Sequence, residues 1–173
     1  MANTSFPTLL VCTTPRSGSN FLGSWILQSW CFGWNGEWLN PPFEVQFKRQ
    51  HGLDLDLPLS DYLRHLQHHR STPGKGWSIK LMWEHWERAR ERWLEENEPA
   101  EMPTDKHILN SLFGDFRIVY LFRKDKTAQA VSLVKARQSG VWRQFSGKEH
   151  DSECPVSFQF FEIQEAIEEI HHA

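Results

Sequence analysis

Cysteine is scarce in this chain: Cys12, Cys31 and Cys154 are an odd number with no short paired spacing. Neither a disulfide framework nor a thiolate zinc site is therefore expected, and the pattern predicts a reducing, cytoplasmic compartment. A basic excess is missing as well. The 19 Lys+Arg are outnumbered by 22 Asp+Glu, a formal net charge of -3, which argues against a general nucleic-acid binder but leaves room for a local basic site. No apolar run approaches the length that spans a bilayer. The opening MANTSFPTLLVCTTPRSG has no basic leader and reaches a Pro-Arg break after a few apolar residues, so a signal peptide is not expected. His65, His68 and His69 fall near helical spacing, but no carboxylate or cysteine completes a ligand set, and no metal is expected.

What is present suffices for one core-bearing domain, 173 residues with 39% hydrophobic content. Nine Trp and 12 Phe exceed what such a core needs, which points to rings lining a concave binding site. Thr8 to Thr13 (TLLVCT) reads as a buried strand, followed by a turn and a helix from Asn20 to about Trp30. Trp34 to Pro42 reads as a loop because two prolines cannot continue a helix. Leu59 to Arg70 is predicted helical with Ser60 as its cap. Trp77 to Trp83 is predicted as a second strand, with Lys80 in its middle demanding an explanation. Glu84 to Glu98 has an amphipathic helical stripe of Trp86, Ala89, Trp93 and Leu94. Phe116 to Phe122 is the third predicted strand, Lys126 to about Trp142 the helix after it, and Phe158 to His171 a final helix. Strands separated by helices predict an α/β fold: three layers, a parallel sheet flanked by helices, with sites at the carboxyl ends of its strands.

Two of these corners suit anions. Thr13-Thr14-Pro15-Arg16-Ser17-Gly18-Ser19-Asn20 lies between a strand and a helix, where backbone N–H groups and the helix dipole favour negative charge. Gly18 permits close approach, Arg16 adds a forked cation, and Ser17, Ser19 and Asn20 add short donors suited to phosphate or sulfate oxygens. An ordinary helix cap with a surface arginine would use the same residues. A Walker A loop it is not, since Gly18-x4-Gly23 is followed by Ser24 with no lysine. A nucleoside-triphosphate hydrolase or sugar kinase is thereby disfavoured. The second corner, from Phe122 to Ser132, repeats the logic with Arg123 at a strand end and Ser132 on the following helix.

With both corners described, CTTPRSGSNFLGSW resembles the 5'-phosphosulfate loop, and FRKDKTAQAVSLVKARQSGVW the 3'-phosphate element, of sulfotransferases that use 3'-phosphoadenosine 5'-phosphosulfate (PAPS). The resemblance is to the bacterial trehalose 2-sulfotransferase family and runs from about Leu9 to Trp142. That family's G-x-P-x-E-[FY]-F-like loop is matched by Gly33-Trp34-Asn35-Gly36-Glu37-Trp38-Leu39, and its G-x-K-L-M-W strand by Ser78-Ile79-Lys80-Leu81-Met82-Trp83. Asn35 replaces the family's proline, and Leu39 replaces an aromatic. Family members continue beyond the position of Ala173, so the resemblance implies one sulfotransferase domain over residues 1–173, shortened at its C-terminus, with the Ile163/Ile167/Ile170 stripe short of part of its partner.

The resemblance implies PAPS as donor, no metal, and a small carbohydrate or glycolipid acceptor of trehalose-like character. Glu37 takes the position of the general base, Lys80 and Arg16 that of charge-neutralising groups. Arg16, Ser17, Gly18, Ser19 and Asn20 would hold the 5'-phosphosulfate, and Arg123 and Ser132 the 3'-phosphate. Pro15, Trp34, Asn35, Gly36, Glu37, Trp38, Leu39, Asn40 and Trp83 would surround the acceptor. The shortened end leaves a second reading open, a nucleotide-binding relative without activity that serves as a binding module. An incomplete sheet edge would favour self-association into a homo-oligomer.

Overall fold

Thr8–Thr13 (β1) is the central strand: Leu10 and Val11 are fully buried, and parallel neighbours flank it on both sides. The computed structural model describes residues 7–142 and 157–172. Trp77–Leu81 (β2) pairs with β1 from Thr8↔Trp77 to Cys12↔Leu81, and Phe116–Leu121 (β3) pairs with it from Thr8↔Phe116 to Thr13↔Leu121, giving the order β2-β1-β3. The fold is thus α/β with a parallel sheet flanked by helices.

Seven helices are described around the sheet: α1 (Ser19–Gln28), α2 (Pro41–Gln50), α3 (Leu59–Arg70), α4 (Trp83–Asn97), α5 (Asp105–Phe113), α6 (Lys126–Ser139) and α7 (Phe160–His172). The larger core joins β1 and β2 to α3, α4 and α5 through Leu10, Ile79, Leu63, Leu66, Trp86 and Ile108. Each such fully buried aliphatic side chain contributes about 1.5–3 kcal/mol of transfer free energy. The smaller core lies between α6 and α7.

Four expectations are corrected and one helix is added. Pro41 and Pro42 do not keep their segment a loop; they start α2, because proline in the first helical turn loses no intrahelical bond. Helix α5 was not anticipated from the sequence; Thr104 caps it by accepting from the His107 amide. Ser60 does not cap α3, since the cap position is Pro58 and no side chain bonds there. The second strand stops at Leu81, and Trp83 already begins α4. Two residues of the isoleucine stripe of α7 are covered: Ile163 and Ile170 are buried against Ala130, Leu133 and Val134 of α6, Ile167 is half-buried beside them, and Arg137 adds bonds to both carboxylate oxygens of Glu169 at 2.8 and 2.7 Å. Cys154 lies outside the described residues.

Candidate active site

The chain leaves β1 at Thr13 and turns into α1 through two left-handed residues, Arg16 at φ 62° and Gly18 at φ 97°. A Cβ at Gly18 would meet no atom within 4 Å, so glycine is required there by the backbone angle, not by crowding. No side chain caps α1; the Phe21 and Leu22 N–H groups bond the Gly18 carbonyl at 3.0 and 3.1 Å, and the N–H groups of Ser19 and Asn20 precede the first intrahelical acceptor. Thr13 and Ser17 share a hydroxyl hydrogen bond inside the turn. From α6, the fully buried Gln129 donates to Thr14 Oγ1 at 2.8 Å and to the Pro15 carbonyl at 2.6 Å. Arg16 reaches the other way, donating from Nε to Ser132 Oγ at 2.9 Å and from Nη1 to the Trp142 carbonyl at 2.6 Å. The two strand-to-helix corners therefore meet, joined through Arg16 and Ser132.

Lys80 is buried to 1% exposure in the middle of β2, where an ammonium without partners would cost several kcal/mol. Its Nζ donates to Asn20 Oδ1 at 2.7 Å and to Glu37 Oε1 at 3.0 Å. The carboxylate arrives there because the segment before it is stapled to β2. Phe32 and Gly36 form parallel bridges to Gly76 and Ile79, and Lys80 N donates to the Gly36 carbonyl at 2.9 Å. Gly36 cannot bear a side chain, since a Cβ would stand 2.6 Å from the Trp38 ring. The first turn of α1, the middle of β2 and the loop ahead of α2 thus converge on one ammonium.

Glu37 opens onto a cleft of about 340 Å³ whose lining includes Trp34, Trp38, Phe43, Gln46, Gln50 and Arg70. Trp38 is held by its Nε1 bond to the Trp34 carbonyl at 3.3 Å and by Tyr62, whose hydroxyl donates to the Trp38 carbonyl at 2.6 Å. Burial pushes the Tyr62 hydroxyl well above its ordinary pKa, so it remains a donor at any physiological pH. Behind the cleft, Glu44 of α2 bonds the buried Lys48 and also Arg92 of α4, each at 2.7 Å.

Other residues singled out in the sequence are spread more widely. Arg123 is half-buried just beyond β3. Trp83 lines a different cleft, with Cys12, Met82 and Tyr120. Leu39 belongs to the main core, and Asn40 occupies the cap position of α2 without a side-chain cap bond. Asn35 is buried against Gly23 of α1, and among the described residues neither atom of its side-chain amide has a hydrogen-bond partner. Two participants were not anticipated. Gln129 looks like any helical polar residue, and Arg70 like the basic end of a helix; only the packing shows one clamping the Thr14-Pro15 turn and the other lining the cleft.

The family model for Stf0 sulphotransferase matches residues 8–171, a span that holds both corners, the Lys80 junction and the cleft. The chain belongs to the Stf0 sulphotransferase family. A comparison with curated proteins returned no match. Membership makes sulfuryl transfer the general activity and transferase the enzyme class. The Stf0 match also covers β2 and β3, so the sheet and the corners at its carboxyl ends fall within the family pattern. Among the described residues no helix of this Stf0 member is long and apolar enough to cross a membrane.

Proposed function

We propose that the chain moves a sulfuryl group from PAPS to a hydroxyl of a carbohydrate or glycolipid, with Glu37 as general base. The observation that carries this reading is the Glu37 carboxylate, held on Lys80 Nζ at 3.0 Å and facing an aromatic cleft, with the same ammonium tied to Asn20 in the first turn of α1. A base and an anion-type helix terminus are thereby linked through one cation. The residues suit the donor: the Gly18 turn is open above its backbone, and Arg16 already spans from the first corner to Ser132 of the second. Ser17 to Asn20 with Arg16 would hold the 5'-phosphosulfate, and Ser132 with Arg123 the 3'-phosphate.

When bound, PAPS supplies the sulfuryl group and leaves as 3'-phosphoadenosine 5'-phosphate. Glu37 takes the proton of the attacking hydroxyl as the new O–S bond forms, and with Oε1 on Lys80, Oε2 is the receiving atom. Lys80 would supply positive charge to the transferred group and the leaving oxygen as they develop negative charge, a role like that of the cations in phosphoryl transfer. Trp34, half exposed at the cleft, offers an apolar face to a sugar ring, with Trp38 buried behind it, and Gln46 and Gln50 offer amides to its hydroxyls. A trehalose-like disaccharide is the acceptor suggested by the family resemblance.

The test is to incubate the protein with PAPS and a sugar panel and to follow release of 3'-phosphoadenosine 5'-phosphate. Sugar-dependent release is expected, and Glu37→Gln should lower turnover about 10²- to 10⁴-fold. Near-normal turnover in that variant rejects Glu37 as the base, and no release with any sugar rejects the assignment.

A further inference from the structure

Arg70, the last residue of α3, projects into the cleft that Glu37 borders. Its guanidinium carbon lies 4.7 Å from the ring centroid of Trp38, 5.4 Å from that of Phe47 and 5.8 Å from that of Trp34. Stacking on rings offsets part of the cost of placing a cation there, but it satisfies none of the guanidinium N–H donors in the ring plane. Among the described residues Arg70 forms no ion pair, and its Nε is buried with no hydrogen-bond partner. Nearby carboxylates are committed elsewhere: Glu37 to Lys80, and Glu44 to Lys48 and Arg92. The cleft thus holds a ring-stacked guanidinium with no paired carboxylate among the described residues, in a wall of aromatic and amide side chains whose one carboxylate, Glu37, is engaged by Lys80.

We infer that Arg70 is a specificity-determining residue and that the acceptor carries a carboxylate, as a uronic acid does, in place of the neutral trehalose-like disaccharide that the family resemblance suggests. The inference rests on the reading of this cleft as the acceptor site. A planar guanidinium pairs with a planar carboxylate through two parallel hydrogen bonds, while the same donors find only single hydroxyls on a neutral sugar. The rings hold the sugar face, the α2 amides meet its hydroxyls, and Arg70 selects its charge.

The experiment compares binding of methyl β-D-glucuronide, its methyl ester and methyl β-D-glucoside to the whole protein by calorimetry, with 3'-phosphoadenosine 5'-phosphate titrated separately. The glucuronide is expected to bind about ten- to a hundredfold more tightly than either neutral glycoside. In Arg70→Gln that preference should vanish. Equal binding of all three glycosides by the unaltered protein overturns the inference and leaves the acceptor-site reading standing. A preference that survives in Arg70→Gln also overturns it. If no glycoside binds although the nucleotide does, the acceptor-site reading falls together with the inference. The ester comparison needs no variant, so the result does not depend on Arg70→Gln folding normally.

Discussion

β2 and β3 pair with the same central strand, in the same direction, yet they live in different surroundings. Every residue of β2 is buried, whereas on β3 Ile118, Val119 and Tyr120 remain 53%, 40% and 63% exposed. The cause is the helices: α3, α4 and α5 share one core with β1 and β2, while α6 and α7 pack chiefly on each other. The chemistry follows the same division. Lys80 sits where no water competes for its ammonium and its partners fix its position. Arg123, beyond the end of β3, has no such enclosure. A buried strand can hold a charge in one geometry, and an open one presents it for a ligand to organise.

The contrast can be broken most directly in the core. Ile79→Ala, on β2, should cost about 2–5 kcal/mol by denaturant unfolding, because it removes a fully buried side chain and leaves a cavity. A loss below 1 kcal/mol would mean that the β2 side is no more tightly packed than the other. Next in size is Gln129→Ala, which leaves the Thr14 hydroxyl and the Pro15 carbonyl without their buried donor. It should cost about 1–3 kcal/mol and weaken 3'-phosphoadenosine 5'-phosphate binding by loosening the turn between β1 and α1. Unchanged nucleotide affinity would separate Gln129 from the donor corner.

On β3, Ile118→Ala should stay within about 0.5 kcal/mol of the parent in the same unfolding measurement. A larger loss would show that something covers this strand in solution.

The smallest effect is a pH dependence on the β2 side. His85, 2% exposed in the first turn of α4, is held below its ordinary value of 6.5 by burial, with Arg88 and Lys80 acting in the same direction and Glu84 and Glu37 opposing. As pH falls below about 6.5 the unfolded chain takes up this proton first, so the folded state loses stability on acidification. His85→Gln should flatten that part of the stability profile between pH 7.5 and pH 5.5. A profile unchanged by the substitution would assign the acid sensitivity to other groups.

The strands were legible because each is a short apolar run between turn formers, and α4 and α7 because their apolar residues recur with the helical period. Helix α2 was hidden by its two prolines, which break a helix anywhere but at its start. The long strand expected through Trp83 came from the apolar run Leu81-Met82-Trp83 at its end, which does not reveal that the backbone changes course at Met82. At the site, Arg16 and Lys80 stood out as cations where an apolar pattern or a tight turn makes a cation costly. Arg70 and Gln129 gave no such signal, since a polar residue at a helix end or on a helix is ordinary until its neighbours are known.

By itself the sequence determined the alternation of strands and helices and the two strand-to-helix corners, because periodicity and turn chemistry are local and act within a few residues. Only the tertiary structure decided that Lys80 meets both Asn20 and Glu37, that Arg16 reaches Ser132, and that Arg70 stands among three aromatic rings. Those contacts join residues tens of positions apart, and their partners are chosen by how the helices bury the sheet, a property that no single segment carries.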